Sequence, residues 1–303
     1  MKKKLLMRET GRQKILLFGS NGMLGHKILQ NLYSDFLTIG TIRKKNNSSL
    51  IKYKLIKNID IKNFKKIEKL IKDLKPNYVI NCSGLIKQKL QKKKYTDLKI
   101  INYSFPLFLD KLSKTYQFKH IHFSTDCVFN GSKGNYTEKS IVNAKDSYGK
   151  YKAFAEKKIK NNTLIIRTSI IGHEINGGRL SLLEWFINTK KNVTGYSFAF
   201  FSGLTTLEIS RVLIKIIKNN KFYRGLYNIS SKKISKFHLL EKINKIYNLN
   251  KIISKDKKFK IDRSLNSLKF KNKFKINVSS WDKQISDMYK DYKKNKKFYL
   301  NEI

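Results

Sequence analysis

The sequence predicts an α/β fold: a Rossmann-type, doubly wound parallel β-sheet, followed by a smaller C-terminal α/β lobe. Two observations lead to this prediction. Short apolar runs alternate with helical patterns over the first two-thirds of the 303 residues, and a glycine-rich turn follows the first run directly. Hydrophobic residues make up 40% of the chain, with 19 Phe and 16 Tyr. This is enough material for a sizeable core, so global disorder is not expected.

Short apolar runs bounded by polar or turn residues mark the predicted strands of the main sheet. The strong runs are Lys14–Phe18, Phe36–Ile42, Tyr78–Cys82, Lys119–Ser124 and Leu164–Ser169, and a weaker run surrounds Ile59–Ile61. An amphipathic helix is predicted before Pro76, because apolar residues recur at three- and four-residue steps from Phe64 to Leu74.

The pattern loosens after Ser169. A glycine-rich stretch at 172–179 precedes a helix that carries LLEWF at Leu182–Phe186. The elements predicted after it are a helix from Thr206, a strand at Gly225–Ser230, a helix around Phe237–Tyr247 and a basic helical tail from Trp281. This last third is expected to include the smaller lobe, which forms the far wall of a cleft.

The charge balance is strongly positive, with 66 Lys and Arg against 21 Asp and Glu and a formal net charge of +45. Such a field favours anionic partners. The lysines are spread from end to end, however, in a chain that is also crowded with Ile and Asn. This distribution is typical of AT-rich codon usage, so we predict no specific nucleic-acid surface.

Targeting and metal signals are weak. The N-terminal apolar stretch Leu5–Met7 is too short for a signal peptide, and no run approaches the length of a transmembrane segment, which predicts a cytoplasmic protein. Neither the two cysteines, Cys82 and Cys127, nor the five histidines show metal-ligand spacing. We therefore predict no metal site.

The glycine turn GSNGMLG contains Gly19, Gly22 and Gly25 and lies directly between the first strand and a helix. Glycine permits a tight turn and close approach of the backbone to a pyrophosphate, and the helix N-terminus supplies free N–H groups. The spacing G-x-x-G-x-x-G differs from the usual G-x-G-x-x-G. We predict a dinucleotide site here, to which Asn21, Met23 and Leu24 also contribute.

The end of the second strand distinguishes the two nicotinamide cofactors. Sites for NAD usually carry a carboxylate there, which accepts a hydrogen bond from the ribose 2′-hydroxyl. This chain has Arg43 instead, and a guanidinium suits the 2′-phosphate of NADP. NADP is therefore predicted over NAD. Asp60 is expected to contact the adenine or, equally, to cap the helix that follows it.

Tyr148 and Lys152 lie four residues apart in a segment with a helical pattern, so their side chains share one helix face. A lysine ammonium favours the phenolate, which lets the tyrosine exchange a proton with a carbonyl or hydroxyl oxygen. Thr125 follows the strand Lys119–Ser124, where a hydroxyl would face the cleft and could bind the same oxygen. The alternative is that residues 124–126 only shape a turn.

Five motifs occur in order: GSNGMLG, NCSG at Asn81–Gly84, STDCVFNG at Ser124–Gly131, SYGKYK at Ser147–Lys152 and IIRTS at Ile165–Ser169. Together they resemble the extended short-chain dehydrogenase/reductases, and most closely the dTDP-4-dehydrorhamnose reductase family. The resemblance runs from about Lys14 to the C-terminus. LLEWF, FFSGLTTLE at Phe200–Glu208 and DRSLNS at Asp262–Ser267 resemble later segments of a sugar-nucleotide reductase branch.

The resemblance implies catalytic roles for Thr125, Tyr148 and Lys152. Tyr148 would be the acid, Lys152 would bind the nicotinamide ribose and tune Tyr148, and Thr125 would hold the substrate oxygen. NADPH would reduce the C4 ketone of a nucleotide-linked 4-keto-6-deoxy sugar, with dTDP-4-dehydrorhamnose as the first choice. An NADP-binding domain is then expected at 14–171, with a return segment at about 197–230. A loose extension covers 1–13, and 172–196 with 231–303 form the substrate lobe.

Further binding residues are predicted around these three. The expected cofactor contacts are Cys82, Ser83, Gly84 and Asn102, and the expected substrate contacts are Asp126, Cys127, Glu184, Trp185 and Arg263. A tryptophan can stack on a ring and an arginine can pair with a phosphate, although Trp185 also fits an apolar core stripe. The family usually reads S-T-D-Y-V-F, so Cys127 replaces a tyrosine and leaves the exact sugar open.

Three other readings stay open at this point. A 4,6-dehydratase is disfavoured because that class carries Glu where this chain has Cys127. A reductase or epimerase of a UDP-linked, N-acetylated deoxysugar is an alternative. The third reading is a non-catalytic, NADP-sensing regulator that binds nucleic acid, which the complete Thr125, Tyr148 and Lys152 set disfavours. The oligomeric state also stays open, with a homodimer as one alternative.

Overall fold

The computed structural model describes residues 11–43, 50–86, 95–175, 181–190 and 192–300. The strands in these residues are β1 (Lys14–Phe18), β2 (Leu37–Thr41), β3 (Leu55–Ile56), β4 (Tyr78–Asn81), β5 (Lys119–Ser124), β6 (Thr163–Arg167), β7 (Ile170–Ile171), β8 (Asn192–Phe201), β9 (Leu204–Thr205), β10 (Gly225–Asn228), β11 (Ile234–Ser235) and β12 (Ile252–Asp262).

The α-helices are α1 (Met23–Leu32), α2 (Phe64–Leu74), α3 (Tyr95–Lys99), α4 (Phe105–Thr115), α5 (Ser147–Lys158), α6 (Leu182–Asn188), α7 (Thr206–Lys218), α8 (Lys236–Tyr247), α9 (Leu268–Phe274), α10 (Trp281–Lys294) and α11 (Lys296–Leu300). A π-helical turn at Ile100–Ser104 joins α3 to α4, and a 3₁₀ turn covers Asp126–Val128. None of the helices in the described ranges combines the length and the apolar character needed to cross a membrane.

Seven strands form one parallel sheet in the order β10-β6-β5-β4-β1-β2-β3. Strand β1 shows why both faces are covered. Ile15 and Leu17 belong to one buried cluster, while Leu16 and Phe18 belong to another on the opposite face. Fully apolar strands of this kind are typical of a sheet covered by helices on both sides. The predicted Rossmann-type fold is thereby confirmed.

The weak run around Ile59–Ile61 was expected to be a strand, and this prediction is wrong. The strand lies earlier, at Leu55–Ile56, where it pairs with β2. Asn58 adopts a left-handed backbone conformation, with φ of +59°, and this conformation ends the strand before Ile59. Ile59 is nevertheless buried in the core beside the sheet.

A second, three-stranded sheet has the order β11-β8-β12. Its two long strands, β8 and β12, pair in parallel from Ile252 opposite Asn192 to Asp262 opposite Phe200. One face of this sheet packs against α8 and α10 around a core that includes Leu240 and Ile285. At its end, β12 contacts the loop that follows the 3₁₀ turn after β5, where Asp262 donates its N–H to the carbonyl of Gly131 at 2.7 Å.

Candidate active site

The glycine turn packs backbone against backbone. Gly19 has φ of +79°, and a Cβ atom there would lie 2.9 Å from backbone atoms of Cys82 and Ser83. A Cβ atom at Gly25 would collide with the carbonyl oxygen of Gly19. Gly22 is the N-cap of α1 and has no side chain to occupy the N–H groups of the first turn. These N–H groups and the missing side chains fit a pyrophosphate, so the residues present suit a dinucleotide.

The loop after β4 packs directly against the glycine turn. Asn81 accepts a hydrogen bond from the backbone N–H of Ser83 at 3.0 Å. Asn102, in the π-helical turn, accepts from the N–H of Leu85 at 3.2 Å and donates to its carbonyl at 2.9 Å. Both ends of the Asn102 amide are therefore used to hold the loop. The predicted cofactor residues Cys82 to Gly84 lie on this loop, and Asn102 acts on it from outside.

The catalytic candidates meet where α5 packs on the 3₁₀ turn after β5. Asp146 caps α5 by accepting from the N–H of Gly149 at 2.9 Å. A Cβ atom at Gly149 would collide with the carbonyl oxygen of Cys127, so the helix begins in direct contact with the turn. The Thr125 hydroxyl accepts from the N–H of Cys127 at 3.1 Å and donates to Asp126 at 3.2 Å.

Tyr148 and Lys152 share one face of α5, as the spacing predicts. The Lys152 ammonium is buried, with 4% of the residue exposed, and donates to the carbonyl of Phe123 at 2.9 Å. Burial lowers the pKa of Lys152 to about 8, while the charge of Glu156 acts to raise it. Lys152 is therefore protonated below about pH 8 and neutral above it.

Tyr148 keeps its proton at neutral pH. Burial raises its pKa above the ordinary value, and the charge of Asp126 acts in the same direction, while a hydrogen bond with Thr125 lowers the pKa in part. A neutral phenol next to a hydroxyl can donate a proton to an oxygen that becomes negative. The structure thus brings the three predicted residues close together, in an arrangement that suits a general acid.

A buried ion pair supports the same helix. Glu156 follows Lys152 by one turn and binds Arg167 through two hydrogen bonds, of 2.9 Å to Nε and 2.5 Å to Nη2. Their side chains are 5% and 1% exposed. Neither residue of this pair was predicted as a site residue from the sequence, although Arg167 belongs to the motif IIRTS. This bidentate pair holds the C-terminal end of α5 against the end of β6.

The residues predicted to select the cofactor lie near β2 and β3, toward the opposite lateral edge of the main sheet from β5 and the catalytic candidates. Arg43 is exposed just beyond β2, and the neighbouring Lys44 and Lys45 lie outside the described residues. Asp60 accepts from the N–H of Lys62 at 3.0 Å and so forms the turn before α2. The alternative in which Asp60 caps that helix is wrong, since Asn63 is the N-cap and accepts from the N–H of Lys66.

The predicted substrate contacts occupy different places. Asp126 is buried in the 3₁₀ turn, and Arg263 reaches the same turn, with Nη1 3.5 Å from the sulfur of Cys127. The carboxylate of Glu184 is instead engaged by Nδ1 of His173 at 2.8 Å. Trp185 is 41% exposed on the outer side of α6, which argues against its role in the core.

One residue at this turn was missed by sequence reasoning. Lys236, the first residue of α8, lies over the ring of Phe201 at 4.1 Å, and burial lowers its pKa to about 8 while the charge of Asp126 acts to raise it. No signal could have identified it, because Lys and Arg together number 66 in this chain and no motif contains this lysine.

The parallel sheet, the glycine turn and the Tyr148–Lys152 pair define an extended short-chain dehydrogenase/reductase. Within that class, the family described as the RmlD substrate binding domain matches residues 13–294, and the chain belongs to this family. The spore coat polysaccharide biosynthesis protein SpsK of Bacillus subtilis is 24% identical over 231 residues, which are 74% of this chain and 76% of SpsK.

Two solved structures show the same fold. A hypothetical dTDP-4-dehydrorhamnose reductase from Sulfolobus tokodaii is 24% identical with a TM-score of 0.72, over 86% of this chain and 94% of that one. The dTDP-4-dehydrorhamnose reductase of Bacillus anthracis, in complex with NADP, is 18% identical with a TM-score of 0.76, over 92% of this chain and 98% of that one.

Proposed function

We propose that this protein is an NADPH-dependent reductase of the C4 keto group of a nucleotide-linked 4-keto-6-deoxy sugar. The proposed reaction converts dTDP-4-dehydrorhamnose to dTDP-rhamnose in the cytoplasm, for cell-surface polysaccharide synthesis. The observation that carries the proposal is the neutral, partly buried phenol of Tyr148 beside Thr125 and Lys152. The relatives named above support the substrate class, since two are dTDP-4-dehydrorhamnose reductases by name and SpsK is a polysaccharide biosynthesis protein.

A reduced nicotinamide bound at the glycine turn would supply the hydride. Thr125 and Tyr148 hold the ketone oxygen, and Tyr148 gives it a proton as the carbonyl is reduced to the alcohol. Lys152 carries a positive charge on the same helix face, so it stabilises the phenolate that remains. The buried setting strengthens each of these interactions, because little water competes for them.

The choice of NADPH depends on Arg43, which stands at the end of β2 without a carboxylate beside it in the sequence. The Bacillus anthracis reductase was solved with NADP, which supports the same choice by analogy. Arg43 would bind the 2′-phosphate through its guanidinium.

Turnover with a substrate panel tests the proposal. Purified protein and NADPH are incubated with dTDP-4-dehydrorhamnose, with a UDP-linked N-acetylated 4-keto-6-deoxy sugar and with the free ketosugar, and NADPH absorbance is followed. We expect the dTDP-linked sugar to react and the free sugar to react very poorly, because the nucleotide supplies most of the ground-state binding. Equal rates with free and linked sugars would refute the proposal. Preference for the UDP-linked sugar would keep the chemistry and change the substrate.

Tyr148→Phe tests the acid directly. It should lower turnover by about a hundredfold or more while NADPH binding persists, because the phenol acts on the reacting oxygen alone. Tyr151→Phe is the matched control, since Tyr151 lies on the same helix and packs into the same apolar cluster as Tyr148. Similar losses in both variants would mean that the phenylalanine disturbs packing and that Tyr148 is not the acid.

A further inference from the structure

Four polar side chains share one buried face of the main sheet. His120 and His122 lie two residues apart on β5 and therefore point to the same side of it. Asn81 on β4 pairs in register with His122, and Thr163 on β6 pairs with His120. All four residues are at most 2% exposed. Burial lowers the pKa of His120 to about 3 and that of His122 well below the ordinary value, so both rings are neutral.

The hydrogen bonds of Asn81 determine which nitrogen of His122 carries the proton. The amide oxygen of Asn81 accepts from the backbone N–H of Ser83 at 3.0 Å, so its Nδ2 is the end that faces His122. That Nδ2 lies 3.3 Å from Nδ1 of His122, and an amide nitrogen can only donate. Nδ1 of His122 is therefore the acceptor, and the proton of this neutral ring is on Nε2.

His120 has the opposite tautomer. Asp110 in α4 accepts from the backbone N–H groups of Lys160 and Asn161, each at 3.1 Å, so its carboxylate is an acceptor. The hydroxyl of Thr163 donates to Oδ1 of Asp110 at 2.5 Å, which leaves the hydroxyl oxygen to accept from Nδ1 of His120 at 3.0 Å. The proton of His120 is therefore on Nδ1, and its Nε2 is an acceptor.

The two Nε2 atoms are complementary. That of His122 is a donor and that of His120 is an acceptor, and neither has a partner in the part of the chain that the structure describes. The ring centres are 6.1 Å apart. A direct hydrogen bond requires the nitrogens to lie within about 3.2 Å, whereas two hydrogen bonds through one oxygen atom span up to about 6 Å. A small molecule that accepts from one ring and donates to the other would satisfy both.

We infer that one water molecule binds between His120 and His122 and completes a hydrogen-bond chain across three strands. All donors of this hydrogen-bond chain point the same way, and its members in order are Ser83 N–H, Asn81, His122, the water, His120, Thr163 and the Asp110 carboxylate. Aligned hydrogen bonds polarise one another, and the last one ends on a negative charge. The water also removes the free-energy cost of two buried polar atoms without partners.

The hydrogen-bond chain bears on the cofactor, and this part of the inference rests on the proposed function. Its first donor, the N–H of Ser83, belongs to the loop that packs against Gly19. A Cβ atom at Gly19 would lie 2.9 Å from that same nitrogen. Gly19 begins the turn proposed to hold the pyrophosphate. His122 is therefore a positioning residue for the dinucleotide, and it acts through Asn81.

Nitrogen-15 NMR of protein labelled in its histidine rings tests the two tautomers without any ligand. His120→Asn and His122→Asn assign their signals among the five histidines. At about pH 6–8 we expect the proton on Nε2 of His122 and on Nδ1 of His120. A crystal structure should show a water within about 3.2 Å of both Nε2 atoms, and this test requires no variant. The same tautomer in both rings, a protonated ring, or no water between them would overturn the inference.

His122→Leu and His122→Asn form a matched pair for the role of the loop. The two replacements are similar in size, but only the asparagine keeps an acceptor for Asn81. His122→Leu should raise the Kd of NADPH by about fivefold or more, because the Asn81 amide is no longer held toward Ser83, while His122→Asn should stay within about twofold. His120→Leu is the control. It removes an equally buried ring that bonds to Thr163 instead, and it should also stay within about twofold.

Equal rises in Kd for His122→Leu and His122→Asn would refute the positioning role, because the loss would then follow from packing alone. An equal rise for His120→Leu would refute it for the same reason. Failure of the proposed function looks different: the tautomers and the water would be present and NADPH would bind, while no ketosugar is reduced. If the unaltered protein does not bind NADPH, the proposed function and the positioning role both fail, and the tautomers still test the water site.

Discussion

The buried pair Glu156–Arg167 gives the sharpest test of how α5, the helix that carries the proposed catalytic residues Tyr148 and Lys152, is stabilised. Glu156→Gln keeps the shape of the side chain and removes its charge. The guanidinium of Arg167 would then retain neutral neighbours: Asn228 Oδ1 at 3.3 Å, the carbonyl of Thr137 at 3.5 Å and the ring of Phe129 at 4.9 Å. An uncompensated buried charge typically costs about 3–5 kcal/mol.

This cost is large compared with the stability of ordinary domains, which is about 5–15 kcal/mol. Denaturant unfolding followed by circular dichroism measures the free energy of unfolding of each variant. The control is the double variant Glu156→Met with Arg167→Met, which removes both charges and should restore most of the loss, since apolar replacements of buried pairs are often neutral. The reasoning is refuted if the single variant loses less than about 1 kcal/mol, or if the double variant is as unstable as the single one.

The same substitution has a functional consequence. The charge of Glu156 acts to raise the pKa of Lys152, against the larger effect of burial. In Glu156→Gln this support is lost, and the pKa of Lys152 should fall below about 8. The alkaline fall of kcat/KM should therefore move to lower pH. A variant that is less stable but has an unshifted pH profile would separate the structural role of the pair from its electrostatic role.

Three further predictions concern the cofactor and the pH dependence. Arg43→Ala should weaken NADPH far more than NADH, because only NADPH has the 2′-phosphate; equal weakening in titrations of both cofactors would contradict the NADP assignment. In a Lys236→Arg background, which removes the other lysine whose pKa burial lowers to about 8, kcat/KM should fall as the pH rises through about 8, since Lys152 is protonated below its lowered pKa and neutral above it. A flat pH–rate profile there would exclude Lys152 as the titrating group. Gly25→Ala should raise the Kd of NADPH by about tenfold or more, because overpacking of about 1–3 kcal/mol would distort the turn; unchanged binding would show that the turn tolerates a methyl group.

The features that could be predicted from the sequence are those that depend on residues close together in the chain. The glycine turn follows β1 directly, and Tyr148 and Lys152 are neighbours on one helix face, so spacing alone places them. The alternation of apolar runs and helical patterns likewise indicated the parallel sheet. Each of these depends on residues a few positions apart.

The parts that could not be predicted depend on contacts between distant residues. The long strand β12 carries five charged side chains between Ser254 and Ile261 and shows no regular alternation, because its pairing with β8 leaves much of it exposed. The left-handed residue Asn58, which moves β3, has no unambiguous signal in the sequence. Lys236 could not be singled out from the sequence, because only the fold brings the start of α8 near the turn at Asp126.

The contact between Gly149 and the Cys127 carbonyl restricts substitutions on one side of the proposed site more than on the other. On one side, the helix of Tyr148, the proposed acid, and the turn of Thr125, its proposed hydroxyl partner, are joined backbone to backbone, so a larger residue at 149 would separate them. On the other side, Lys236 and Arg263 belong to a helix and to the end of a strand that can vary independently. If the proposed function holds, a change to another sugar nucleotide would therefore involve residues of the lobe and leave the proposed acid and its hydroxyl partner in place.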